Sequence, residues 1–189
     1  MIKIGILGDI GSGKSYVASK FGYPVFNADY EVAKLYQQNK KIFTKLRKIL
    51  PKYFHSFPIK KEEISNVILA NKNNLNKIVK IVHAEVRKRM NLFLRKNKNK
   101  KIVILDIPLL LENKINKKKD ILVFVQSKKS EIVKRLKKRK NFNQKLLKKF
   151  KSIQYSTNYK KKKSDYIIKN NFTKKSVNDG IRNILKEIT

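Results

Sequence analysis

Gly8-Asp9-Ile10-Gly11-Ser12-Gly13-Lys14-Ser15 reads as G-x-x-x-x-G-K-[ST], with the short apolar run Ile2 to Leu7 before it and a helical pattern, Lys14 to Phe21, after it. Strand, glycine-dense loop and helix in that order make a phosphate cradle. Glycines let the backbone wrap an anion with its N–H groups inward, and the helix N-terminus adds partial positive charge. In this arrangement Lys14 reaches the β- and γ-phosphates of a nucleotide and the Ser15 hydroxyl is placed to ligate Mg²⁺. Gly8 to Gly13 is also the only glycine-dense segment of the chain.

Strands and helices alternate outward from this loop. Gly22 and Pro24 stop the first helix, and Val25-Phe26 form a second short strand that ends at Asn27-Ala28-Asp29. Residues 30–99 then turn helical in pattern, at Tyr30 to Gln37, Ile42 to Leu50, Lys61 to Ala70 and about Leu75 to Arg95. Further strands are expected at Ile102 to Leu105, Ile121 to Val125 and Tyr166 to Ile168. Helical patterns fill the gaps at Ser130 to Lys140 and Gln144 to Gln154, broken near Asn141 to Asn143, and Lys174 to Ile188 closes the chain as an amphipathic helix. The run Lys160 to Lys163 reads as a solvated loop. This spacing predicts an α/β fold, a five-stranded parallel sheet flanked by helices, with a helical insertion after the second strand.

Two carboxylates stand at strand ends. Asp106 closes the third strand, where it either serves the magnesium shell or acts as a turn residue or partner for a lysine. Asp29 follows the second strand, at the carboxyl edge where ligands of such sheets bind, and is either a base toward an attacking hydroxyl or an N-cap for the helix from Tyr30.

Composition narrows the class. The 189 residues carry 48 Lys+Arg against 13 Asp+Glu, a net charge of +35, yet only seven of the basic residues are arginine. Lysine, asparagine and isoleucine abound together, and all three have A/T-rich codons, so the charge is read as compositional bias able to steer small polyanions inward. Recognition surfaces favour arginine's bidentate fork, and no specific nucleic-acid partner is expected. Ten Phe and eight Tyr supply apolar material for a core. The absence of cysteine excludes disulfides, thiolate metal sites and a thiol nucleophile. The N-terminal apolar run is too short for a signal segment or a membrane span, and Ile102 to Leu111 is interrupted by Asp106 and Pro108, so the chain is expected to be soluble and cytoplasmic.

The phosphate loop, Asn27-Ala28-Asp29 and Ile107-Pro108-Leu109-Leu110-Leu111-Glu112 together resemble the dephospho-coenzyme A kinase family. Downstream, Arg135 and Arg139 resemble its spaced lid arginines, Gln154 its glutamine, Ser164-Asp165 its Ala-Asp pair and Asn170 the asparagine that closes its last strand. The resemblance covers nearly the whole chain except the 36–75 region. It implies a P-loop kinase, related to nucleoside-monophosphate kinases, that moves a phosphoryl group from ATP to the ribose 3′-hydroxyl of dephospho-coenzyme A. Its core would be 1–29 and 100–189, its substrate lobe 30–99, and its lid about 135–160.

Carried onto this sequence, Gly8, Gly11, Ser12, Gly13, Lys14, Ser15, Tyr16, Arg135 and Arg139 would bind ATP, with Ser15 and Asp106 holding Mg²⁺. Asp29 would be the base beside the catalytic Lys14, and Asp29, His83, Pro108, Leu109, Leu110 and Glu112 would meet the acceptor. His83 also reads as a helix-packing histidine, and the two arginines as a solvated basic face four residues apart on one helix. The chain departs from the family in Leu7 for threonine, Asp9 for glycine, Asn27 for aspartate and Ala84 for the proline after His83. An arginine usual a turn before Gln154 is missing near Phe150. Two rival readings remain, another nucleoside or nucleotide kinase, and a nucleic-acid-binding P-loop ATPase whose functional surface is the +35 charge.

Overall fold

A computed structural model describes residues 1–139 and 142–189, the side chain of Lys72 apart. The expected helix end at Lys140 and the start of the expected break at Asn141 lie outside the described residues. Five parallel strands, β1 (Ile2–Gly8), β2 (Val25–Asn27), β3 (Ile102–Asp106), β4 (Ile121–Gln126) and β5 (Tyr166–Lys169), form one sheet in the order β2-β3-β1-β4-β5. The central strands are apolar along almost their whole length because both faces are covered, as a parallel sheet requires. Ile4, Ile6, Ile102, Ile104, Val123 and Ile168 are all fully buried within one cluster.

Nine helices are described: α1 (Lys14–Lys20), α2 (Ala28–Gln38), α3 (Lys40–Ile49), α4 (Lys61–Ala70), α5 (Lys72–Lys96), α6 (Lys129–Lys137), α7 (Gln144–Ser152), α8 (Thr157–Lys162) and α9 (Lys174–Ile188). The chain divides into two compact units. The first comprises Met1–Asn27, Asn97–Asn143 and Phe150–Thr189. There α9 packs on β5 and α1 through Val177, Ile181 and Ile184, one stripe of a 3.6-residue period. Gly5 on β1 lets Leu110 approach, since an added Cβ would lie 2.5 Å from Leu110 Cδ2.

The second unit, Ala28–Lys96 with Gln144–Lys149, is helical. In it α5 packs against α2, α3 and α4 around buried Leu35, Leu46, Phe54 and Val67. The Lys149 ammonium donates to the carbonyls of Ile68 and Leu69 at the C-terminal end of α4, and so meets orphan acceptors at the negative end of that helix.

Two readings of the sequence change. Residues 160–163 are not a solvated loop: Thr157–Lys162 is helix α8, with Ser156 as N-cap accepting from the Tyr159 N–H, and Lys160 is 3% exposed. The helix after β2 starts at Ala28, so Asp29 lies inside its first turn and is not the N-cap. An apolar stripe reports burial, but Lys160 enters the interior on the strength of polar partners far along the chain, which periodicity does not register.

Candidate active site

The phosphate loop sits between β1 and α1 at the carboxyl edge of the sheet, where the first turn of α1 opens. Gly13 precedes α1 with φ 91°, a left-handed conformation, and a Cβ there would lie 2.5 Å from Asn170 Nδ2. Being glycine, it offers no side-chain cap, so no cap oxygen takes the first-turn N–H groups. The loop is fastened from behind. The Ser12 carbonyl accepts from Asn170 Nδ2 at 2.9 Å and Ser127 Oγ at 3.0 Å, from residues just beyond β5 and β4. Ser12 Oγ is buried and has no hydrogen-bond partner among the described residues, an acceptor-seeking hydroxyl inside the loop.

Lys14 Nζ donates to the carbonyls of Gly8 at 3.1 Å and Asp9 at 2.9 Å, which holds the ammonium over the loop. Tyr16 is exposed on α1, with Lys20 Nζ 5.4 Å from its ring centroid. Asp9, a departure from the family pattern, is ion-paired: Oδ1 accepts from Lys160 Nζ at 3.0 Å and Oδ2 from Thr157 Oγ1 at 2.8 Å.

Asp106 is 3% exposed at the end of β3. Burial raises its pKa above the ordinary carboxylate range, against the lowering effects of a hydrogen bond with Ser15 and the charge of Lys14. The register of β2 and β3 sets Asn27 opposite Asp106, and Asn27 Nδ2 donates to Asp106 Oδ2 at 2.7 Å. This accounts for the second departure. An aspartate at 27 would set a carboxylate against a buried carboxylate, whereas the amide supplies a donor. Ser15 and Asp106 thus stand together as a hydroxyl and a carboxylate beside Lys14. Among the described residues no cluster of three or more His, Cys, Asp or Glu forms, and the pair suits Mg²⁺, which keeps most of its shell for phosphate and water.

Pro108 and Leu109 are half-buried in the turn that leaves β3. Leu110 is 1% exposed and packs on Gly5, so its side chain belongs to the core and is removed from the acceptor-facing set. Glu112 Oε1 accepts the Tyr155 N–H at 2.8 Å, which ties this turn to the segment leading into α8. Arg135 lies on α6, its guanidinium 4.4 Å from the Phe172 ring centroid. Arg139 falls beyond the end of α6, so the two arginines do not share one helix face as the spacing suggested.

In the helical unit, Asp29 is exposed in the first turn of α2. His83 on α5 is half-buried, and burial together with the charge of Arg87 holds its pKa below the ordinary histidine value. Arg89 pairs with Glu31 at 2.8 Å, linking α5 to α2.

The sequence reading missed Lys160, Thr157 and Ser127. Ser156, a hydroxyl residue ahead of a lysine-rich run, was the signal for α8 that went unused.

The family profile for dephospho-CoA kinase matches residues 2–176 of the chain. A dephospho-CoA kinase from Wolbachia pipientis wMel is 33% identical over 190 residues, covering 98% of this chain and 97% of the relative. A crystal structure from Thermus thermophilus superposes with a TM-score of 0.78 at 25% identity, covering 100% of this chain and 98% of that one. The dephospho-CoA kinase from Campylobacter jejuni shares the fold at a TM-score of 0.62 and 21% identity, covering 99% of this chain and 97% of that one.

Proposed function

The chain belongs to the dephospho-CoA kinase family and phosphorylates dephospho-CoA with ATP in coenzyme A biosynthesis, and from that premise we propose how its own residues divide the work. The observation that carries the assignment is the phosphate loop: left-handed Gly13, the orphaned Ser12 hydroxyl, and Lys14 poised over the loop. Its backbone N–H groups and Ser12 Oγ would hold the phosphates, and Lys14 would leave the Gly8 and Asp9 carbonyls to neutralise charge on the transferred phosphoryl. Ser15 and Asp106 would hold Mg²⁺, with Asn27 orienting the Asp106 carboxylate. When bound, the ion supplies further charge neutralisation on the phosphates.

Asp29 is the group we assign to orient and deprotonate the acceptor hydroxyl, the ribose 3′-hydroxyl. Its support is the family motif, its exposure, and its place two residues beyond Asn27, whose partner is Asp106. His83 is mostly neutral near pH 7 and able to accept or donate a hydrogen bond, and with Pro108, Leu109 and Glu112 it completes the proposed acceptor set. Arg135 and Arg139 are assigned to the phosphates of ATP, residues 30–99 to holding the acceptor, and about 135–160 to covering the nucleotide.

The test is ADP release with ATP and Mg²⁺, with dephospho-CoA, AMP or single-stranded RNA as the added component, and mass spectrometry of the product. One phosphate added to dephospho-CoA alone is the expected result. Stimulation by RNA without a phosphorylated product would instead make the +35 charge the functional surface.

A further inference from the structure

Lys160 is a buried cation that the mechanism above does not use. Its side chain is 4% exposed, and Nζ donates to Asp9 Oδ1 at 3.0 Å, the Gly8 carbonyl at 3.3 Å and Gln154 Oε1 at 3.3 Å. Two ammonium groups therefore share one acceptor, since Lys14 Nζ also donates to the Gly8 carbonyl at 3.1 Å. A Lys14 ammonium that turns to a phosphate would weaken its bond to that carbonyl, while Lys160 is held where it is by burial and two further acceptors. Asp9 meanwhile places a carboxylate in the second position of a loop that takes a polyanion. Uncompensated, that charge would repel the triphosphate at short range.

We propose that Lys160 is a positioning residue for ATP: it neutralises Asp9 and keeps the Gly8 carbonyl bonded when Lys14 moves to the phosphates, so that the loop holds its shape through the hand-over. Thr157 serves the same end by occupying the other Asp9 oxygen at 2.8 Å. Helix α8 thus acts on the phosphate loop through side chains about 150 residues away in sequence. The proposal rests on the reading that ATP occupies this loop.

The experiment compares wild type with Lys160→Met, Lys160→Arg, Asp9→Gly, the double variant Asp9→Gly/Lys160→Met, and Lys14→Ala. It measures kcat, KM for each substrate, ATP binding by calorimetry, and Tm. Lys160→Met is expected to raise KM for ATP about tenfold, equivalent to ~1.4 kcal/mol, with KM for dephospho-CoA unchanged. Lys160→Arg keeps the charge and should bind ATP better than Lys160→Met. Removing the repelling carboxylate as well should restore ATP binding, so the double variant should bind ATP better than Lys160→Met. A double variant no better than Lys160→Met overturns the proposal, as does a loss that raises both KM values alike and follows Tm. If Lys160→Met does not fold, Asp9→Gly alone decides: KM for ATP equal to wild type or lower supports the idea, and a rise overturns it. Lys14→Ala separates the two levels. Unchanged ATP binding in that variant would remove the phosphate-loop reading itself, whereas lost binding there with intact binding in Lys160→Met removes only the role of Lys160.

Discussion

Replacing Asn27 with aspartate would turn a hydrogen bond into a confrontation of carboxylates. In the native protein Asn27 Nδ2 lies 2.7 Å from Asp106 Oδ2, and Asp106 is 3% exposed. Two carboxylates relaxed to about 4 Å repel by ~4 kcal/mol at an effective dielectric near 20. The pair can avoid this by keeping one proton. Holding a carboxyl of ordinary pKa ~3.9 protonated at pH 7 costs about 4 kcal/mol, so both routes give the same ceiling. The sign follows from linkage. The raised carboxyl pKa of the folded state costs nothing below the ordinary value, and the deficit grows as pH rises toward the raised one. The expected deficit of Asn27→Asp is therefore about 1.5 kcal/mol at pH 5 and ~4 kcal/mol at pH 7, a fall in Tm of roughly 10 °C for a chain of this size. Asn27→Ala is the control: it loses the hydrogen bond to Asp106 without adding a charge, about 1.5–3 kcal/mol, so at pH 7 its deficit should be the smaller of the two. Urea unfolding at both pH values, without nucleotide and with a chelator present, measures the difference. Equal deficits for Asn27→Asp at pH 5 and pH 7, within about 0.5 kcal/mol, would refute the reasoning.

Asp29→Asn should lower kcat at least a hundredfold and change KM for ATP by less than about threefold, as steady-state kinetics will read; a loss of thermal stability with kcat intact would give Asp29 a structural role only. Gly13→Ala brings a Cβ to 2.5 Å from Asn170 Nδ2 at a φ of 91°, so it should destabilise the protein by about 1–3 kcal/mol in denaturant titration and weaken ATP binding. Because burial raises the pKa of Asp106 in the free protein, the acid limb of kcat/KM for ATP at low Mg²⁺ should fall at a pH above the ordinary carboxylate range, and raising Mg²⁺ should move that limb to lower pH. Leu110→Ala removes a 1% exposed side chain from the packing on Gly5, which should cost about 2–5 kcal/mol of stability with KM for dephospho-CoA little changed.

The α/β class, the five strands, the helical insertion and the phosphate loop were all legible in the chain, because each is written in a local signal. Apolar runs bounded by Gly and Pro mark β1 and β3, a 3.6-residue stripe marks α9, and the loop is eight consecutive residues. Asp106 was legible as a carboxylate at a strand end for the same reason.

Only the tertiary structure decided what the departures from the family pattern mean. Asn27 and Asp106 are 79 residues apart and meet because parallel strands β2 and β3 pair in one register. Asp9 is tolerable in a phosphate loop because α8, read from its four consecutive lysines as a solvated segment, delivers Lys160 and Thr157 to it from about 150 residues away. A charge pattern states that a lysine is cationic, but whether it is solvated or buried depends on acceptors the rest of the chain brings to it. Leu110 shows the converse: its motif pointed to the acceptor, and a missing Cβ on a neighbouring strand drew it into the core. Sequence therefore determined the phosphate loop and the strand-end carboxylate, while the sheet register and the packing of α8 determined which side chains face them, since those contacts join residues with no local relation along the chain.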